Sequence, residues 1–196
     1  MMSRIGLGLR AQKGGAVAAA VAIEAGAPVI RYAGFVATAS EGDRLALEPC
    51  RVAYEMAQAG GDPAAAAAEG RKRQDAAAQQ HLEQLAAQLD APVAAGLLVN
   101  RAGWIRDLVA YSLEWAEHVP VAEGLAVREA LRFGLRQCGI AATEYDEKSL
   151  VERAEAALGL SVDAIEAQLK TLGSGLKPWR KEQKLAALAG WLAAVG

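Results

Sequence analysis

The chain of 196 residues carries 21 lysines and arginines against 23 aspartates and glutamates, a formal net charge of −2, with 53% hydrophobic and 22% charged residues. That length and apolar content suit one globular domain with a sizeable core, and they exclude a disordered chain. The nearly balanced charge argues against a general nucleic-acid or acidic-membrane binder and leaves only local patches to consider.

Residues 4–39 read as a meander of three strands. Arg4-Ile5-Gly6-Leu7-Gly8-Leu9-Arg10 alternates, Gln12-Lys13-Gly14-Gly15 supplies a turn, and Ala16 to Ile23 forms the second strand. After the break at Gly26-Ala27-Pro28, the β-branched and aromatic run Val29 to Val36 forms the third. Gly6 and Gly8 thin the first strand and point to close backbone packing there. The alanines of the second strand prefer helix by propensity, which opposes this reading. A short helix is expected from Pro49 to Ala59. Asp62-Pro63 then supplies an N-cap and a first-turn proline for a helix to about Leu89, with Leu82, Leu85 and Leu89 on one stripe. Its first part, with Arg71, Lys72 and Arg73, reads as a polar stretch projecting into solvent, and its alanine-rich face suits a homo-oligomer contact.

Pro92 to Val99 is a continuous apolar run between breakers, the signature of a central parallel strand buried on both faces. After Asn100-Arg101-Ala102-Gly103 an amphipathic helix is expected over 104–117 and a second from Pro120 to Cys138, with Val127, Leu131 and Leu135 buried and Gly139 as its C-cap. Ile140 to Tyr145 is a last short strand. Helices over 148–158, 161–172 and Trp179 to Ala194 complete a helical C-terminal part, 148–196. A meander followed by alternating units makes one α/β domain over 1–196: three antiparallel strands plus two parallel ones in a mixed sheet flanked by helices.

No apolar segment reaches the roughly 20 residues of a membrane span, and the start of the chain lacks a signal-peptide core, so a cytoplasmic protein without membrane attachment is expected. Cys50 and Cys138, outside any Cys-x-x-Cys pair and with only two histidines in the chain, do not make a zinc site and read as free thiols. Gly6-x-Gly8 lacks the third glycine of a dinucleotide fingerprint and there is no Walker A pattern, so no cofactor is expected.

Four stretches together resemble the ribonuclease H-like fold, in particular its Holliday-junction resolvase (RuvC) branch and small bacterial relatives of unknown function. They are Ile5-Gly6-Leu7-Gly8-Leu9-Arg10 with its hairpin, Val93 to Asn100, the Ala122-Glu123-Gly124 helix leading to Gly139-Ile140, and Lys184-Leu185-Ala186-Ala187-Leu188-Ala189. The resemblance implies a divalent-metal site built from an Asp on the first strand, an acid ending the fourth, and Asp residues on the last helix. Those positions fall here on Leu9 or Arg10, on about Asn100, and on Lys181-Glu182-Gln183-Lys184-Leu185-Ala186-Ala187. None of the matched ligands is a carboxylate. At 4–5 Å and an effective dielectric near 20 a pair of unit charges is worth roughly 3–4 kcal/mol, and a dication beside a lysine feels about twice that as repulsion. No metal site is therefore expected, since two-metal phosphoryl chemistry needs carboxylates to offset such terms.

The expectation is a non-catalytic binding or assembly protein for an unidentified protein or nucleic-acid partner. The alternative is a divergent nuclease or other phosphoryl-handling hydrolase with relocated acids. Its candidate catalytic residues are Glu123, Asp107, Asp146 and His118. The plainer readings are a first-turn glutamate for Glu123, with Arg10 as its partner if buried, an N-cap for Asp146 within Glu144-Tyr145-Asp146-Glu147-Lys148, and a loop histidine for His118. Arg10, Lys13, Lys181 and Lys184 are candidates for an anion site at the sheet edge; a solvated helix face is the plainer reading of the two last lysines. Trp104, Trp115, Trp179 and Trp191 read as packing residues, with Trp179 partly exposed.

Overall fold

A computed structural model describes residues 4–91, 93–100 and 104–196. The strands are β1 (Ile5–Gln12), β2 (Gly15–Glu24), β3 (Ala27–Ala37), β4 (Val93–Val99) and β5 (Ala141–Asp146). The helices are α1 (Arg44–Leu47), α2 (Pro49–Gln58), α3 (Pro63–Leu89), α4 (Leu108–Glu114), α5 (Val119–Gln137), α6 (Leu150–Leu158), α7 (Val162–Leu172) and α8 (Lys181–Val195), with a 3-10 turn at Ala116–His118. The sheet runs β3-β2-β1-β4-β5. β1–β2 and β2–β3 are antiparallel, β1–β4 and β4–β5 parallel. This is the expected mixed α/β sheet. The Pro92 breaker and residues 101–103 lie outside the described residues.

Alternation along β1 sends its residues to two different environments. Ile5, Leu7 and Leu9 join Leu97 and pack against Leu82 and Leu85 of α3 and Val127, Leu131 and Leu135 of α5. The opposite face offers Gly6 and Gly8 of β1 and Gly96 of β4 to α8. A Cβ at Gly6 would lie 1.8 Å from the Gly190 carbonyl oxygen, one at Gly8 1.7 Å from that of Ala186, and one at Gly96 2.5 Å from that of Ala189. Backbone meets backbone on this face.

The alanines of β2 also find their explanation in packing. The strand is hydrogen-bonded on both edges and buried from Gly15 to Ala22. Alanine's helix preference is worth well under 1 kcal/mol per residue over most others, less than a paired and doubly buried strand position recovers. Small side chains there also let Gly190 approach the Ala19 carbonyl.

Four expectations need correction. The long helix α3 does not project: Ala67, Gly70 and Gln74 are buried, and α1 and α2 cross its first half so closely that a Cβ at Gly70 would lie 2.5 Å from the Leu45 carbonyl oxygen. Its alanines and glycine permit that contact, while Arg71 reaches across to Glu129 of α5 and Arg73 pairs with Glu69 of its own helix. The helix expected over 104–117 is confined to α4, because the Asp107 carboxylate accepts the Ala110 amide at 3.0 Å and caps it, and Trp115 is extended. Trp104 and Trp115 consequently stand 69% and 65% exposed rather than packed. Asp146 does not cap α6; Ser149 occupies that position, and the Asp146 carboxylate accepts the Lys148 amide at 2.9 Å.

Among the described residues no helix is long and apolar enough to cross a membrane. Cys50 and Cys138 are both free thiols, the first buried and the second partly so.

Candidate functional site

Because β1, β4 and β5 run parallel, their C-terminal ends meet at one edge of the sheet, the place where α/β domains commonly hold ligands. Arg10 ends the buried part of β1, and its Nε and Nη2 donate to the two carboxylate oxygens of Glu147 at 3.0 and 3.1 Å. Glu147 is fixed in turn by its own amide, which donates to the Val99 carbonyl at 3.1 Å. From α5, Arg132 pairs with Glu144 of β5. One turn earlier, Arg128 Nη1 donates to the side-chain oxygen of Asn100 at 2.7 Å. Its Nε is buried and has no hydrogen-bond partner among the described residues. Burial and the neighbouring Arg132 and Arg10 guanidiniums push the Arg128 pKa below its ordinary value, against the pull of Glu147 and Glu144.

A second polar site lies beside the β1–β2 turn. Glu123 of α5 reaches across to α2, where its Oε1 accepts the Arg51 amide at 2.7 Å, so it caps a helix other than its own. Its Oε2 is buried without a hydrogen-bond partner among the described residues. Burial raises the Glu123 pKa to about 7, opposed by the amides of Arg51 and Cys50. The carboxyl lines a cavity of about 390 Å³ with Gln12, Lys13, Arg51 and Glu48. Burial, with Glu123 adding to it, also pushes the Cys50 thiol up to about 12, which keeps it protonated and unreactive.

The expected groupings are only partly realised. Glu123 is partly buried, as the paired reading requires, yet its partner is the start of α2 and not Arg10, which Glu147 already holds. The four candidate anion ligands do not converge. Lys13 pairs with Glu48 at 2.7 Å, while Lys181 and Lys184 line a separate groove against α7 beside Asp163, Glu166 and Lys170. Nor do the candidate catalytic acids gather: Asp107 caps α4, Asp146 ends β5, and Glu123 sits at α2. His118 stacks on Tyr111 with ring centroids 4.0 Å apart, its Nδ1 2.9 Å from the Tyr111 carbonyl oxygen and 3.4 Å from a Glu114 carboxylate oxygen. It makes no pair with Glu123.

The residues that sequence reasoning missed are Arg128, Arg132 and Glu48. A signal for the first two existed: arginines four apart share a helix face, and a strand ending in Glu144 and Glu147 follows that helix. Which strand end that face would meet depended on tertiary packing.

A divalent ion does not fit the sheet edge. The matched positions hold Arg10 and Asn100, and Glu147 and Glu144 are each engaged by a guanidinium. Among the described residues no three His, Cys, Asp or Glu side chains come together as metal ligands.

No family model matches the chain, and no curated protein does. Solved structures do. The Thermus thermophilus RuvC structure is 15% identical, with 96% of this chain and 92% of that chain covered and a TM-score of 0.50. T. thermophilus RuvC in complex with Holliday junction substrate is 14% identical over 97% of this chain and 91% of that one, at a TM-score of 0.52. The yeast mitochondrial Holliday junction resolvase Ydc2 is 11% identical over 98% and 80%, at 0.45. The chain has the ribonuclease H-like, RuvC-like fold.

Proposed function

We propose that this chain is a ribonuclease H-like binding or assembly protein that does not cleave nucleic acid. One observation carries the reading: at the edge where the resemblance calls for a metal-binding acid, the first strand carries Arg10, clamped in two parallel hydrogen bonds by Glu147. A bidentate arginine–carboxylate pair is geometrically specific and consumes both oxygens a cation would need. A dication there would also have to compete with the Arg10 and Arg132 guanidiniums for Glu147 and Glu144. The sheet and its helices then serve as a scaffold whose partner is a protein or a nucleic acid.

A second reading rests on Glu123. Its carboxyl titrates near neutrality beside a cavity, a setting suited to general acid–base work. Under it the chain is a hydrolase with a relocated acid. Purified protein incubated with branched, hybrid and single-stranded nucleic acid, with and without Mg²⁺ or Mn²⁺, separates the two. The first reading expects no metal-stimulated cleavage; cleavage abolished by Glu123→Gln would reverse the order.

A further inference from the structure

The helices on the α8 side of the sheet leave a groove open to solvent. α7 and α8 form its walls around a volume of about 560 Å³. The floor is apolar: Ile165 and Leu169 of α7 and Leu188 of α8 are buried, and Leu185 is half-buried. The walls are charged. α7 contributes Asp163, Glu166 and Lys170, and α8 contributes Lys181 and Lys184. None of these five side chains makes an ion pair or a hydrogen bond among the described residues, although both signs are present. Arg10, Arg44, Arg71 and Arg132, by contrast, each hold a carboxylate. The α3 face whose alanines suggested a contact between copies is crossed over its first half by α1 and α2, whereas Asp163, Glu166, Ala167, Lys170 and Lys181 all stand exposed.

We propose that a second copy of this chain fills the groove, the two copies pairing through α7 about a two-fold axis at Ala167. The order of charges along α7 selects that occupant. Asp163, Glu166, Ala167 and Lys170 fall at i, i+3, i+4 and i+7, one stripe of the helix. The stripe is acidic at its start and basic at its end, and Ala167 near its middle adds no bulk to keep a neighbouring helix away. An identical helix laid antiparallel across it sets Asp163 of each copy opposite Lys170 of the other, twice over by symmetry. Parallel placement would set like charge against like. Each α7 then lies between α7 and α8 of the other copy, as a third helix packs into the trough between two. There Glu166 meets Lys181 and Lys184 of the second copy, and the methylene stems of the lysines cover the apolar floor. With its 11 residues α7 is about 16 Å long, a small face for an interface, so the dimer is expected to exchange with monomer. The pairing rests on the assembly reading above and names its partner.

Sedimentation equilibrium of the full chain over a range of concentrations tests the pairing. The expected result is a reversible monomer–dimer equilibrium. Asp163→Lys and Lys170→Asp, both at exposed positions, each weaken the dimer at least tenfold, because each sets like charges together at both ends of the α7 pair. Mixing the two variants restores association as a heterodimer, since one copy then carries both positive charges and the other both negative ones. A chain that stays monomeric at every concentration overturns the pairing. So does a dimer that neither substitution weakens, which places the interface elsewhere. Failure of the mixed variants to associate overturns the antiparallel arrangement and the proposal with it. A monomer that binds the apolar dye anilinonaphthalene sulfonate, with the signal lost in Leu185→Asp, gives the groove to another occupant and overturns it as well. Metal-stimulated cleavage sinks the non-cleaving reading and leaves the pairing standing; a strictly monomeric chain that does not cleave sinks the pairing alone.

Discussion

The two faces of the sheet are built on opposite packing principles. On the α3/α5 face, leucines and valines from β1, β4 and the helices interdigitate, so the sheet and helices are separated by side chains. On the α8 face a central strip lacks side chains, with Gly6, Gly8 and Gly96 meeting Ala186, Ala189 and Gly190 through their backbones, while Val17, Val21, Leu98 and Tyr145 pack around it. The first arrangement adapts to changes of volume, because neighbouring side chains have other rotamers. The glycine strip of the second has nothing to move except the backbone itself. It therefore fixes the axis of α8 against β1, which carries Arg10, and β4, which leads into Asn100.

The largest expected effect breaks the glycine face. Gly8→Val places a branched side chain where even a Cβ would lie 1.7 Å from the Ala186 carbonyl oxygen and 2.5 Å from the Gly190 amide nitrogen. The variant is expected to lose more than about 4 kcal/mol or fail to fold, as read by urea unfolding and by recovery of soluble protein. Retention of wild-type stability would mean that α8 is not seated on β1.

The leucine face should answer in graded fashion. Leu131 is fully buried between α5 and the sheet, so Leu131→Ala is expected to cost about 2–5 kcal/mol in the same measurement. Leu131→Met, which conserves volume, is expected to cost less than about 1.5 kcal/mol. Equal losses in the two variants would show that this face is as unyielding as the other.

A smaller, pH-dependent effect belongs to Glu123. Its folded pKa of about 7 lies above the ordinary value of 4.5, so the folded state holds the proton more tightly than the unfolded one. Nothing is lost below about pH 4.5, where both states are protonated; the penalty grows as pH rises and is complete above pH 7. Wild-type stability should fall across that window by up to about 3 kcal/mol from this group. Glu123→Gln, which keeps an acceptor for the Arg51 amide, should flatten the profile and be the more stable protein at pH 8. Identical pH profiles for the two proteins would show that the carboxyl is not held in this buried setting.

Much of the architecture was legible from short-range pattern. Gly6 and Gly8 in an alternating strand announced a close approach, and the breaker-bounded run to Val99 announced a central parallel strand. Asp62-Pro63 marked where α3 begins, and Gly139, in the left-handed conformation at φ 65°, follows the end of α5. The failures share a cause. The polar start of α3 concealed the face that α1 and α2 cover, since alanine and glycine carry no strong hydrophobic signal yet allow the closest helix contacts. Trp104 and Trp115 were assigned to packing from a helical spacing that the Asp107 cap interrupts.

The site was less legible than the fold. The chain's own order of residues determined that the matched metal positions hold no carboxylate, because an arginine, an asparagine and two lysines are what stand there, whatever the chain does in space. It likewise determined the strands and helices, whose periodicity is a local property. Only the tertiary structure decided which groups meet: that Arg10 turns to Glu147, 137 positions away, that Glu123 caps α2, and that Arg128 reaches the side-chain oxygen of Asn100. Charge pairing falls off within a few ångströms, and distances of that scale between remote segments are set by how the helices pack on the sheet.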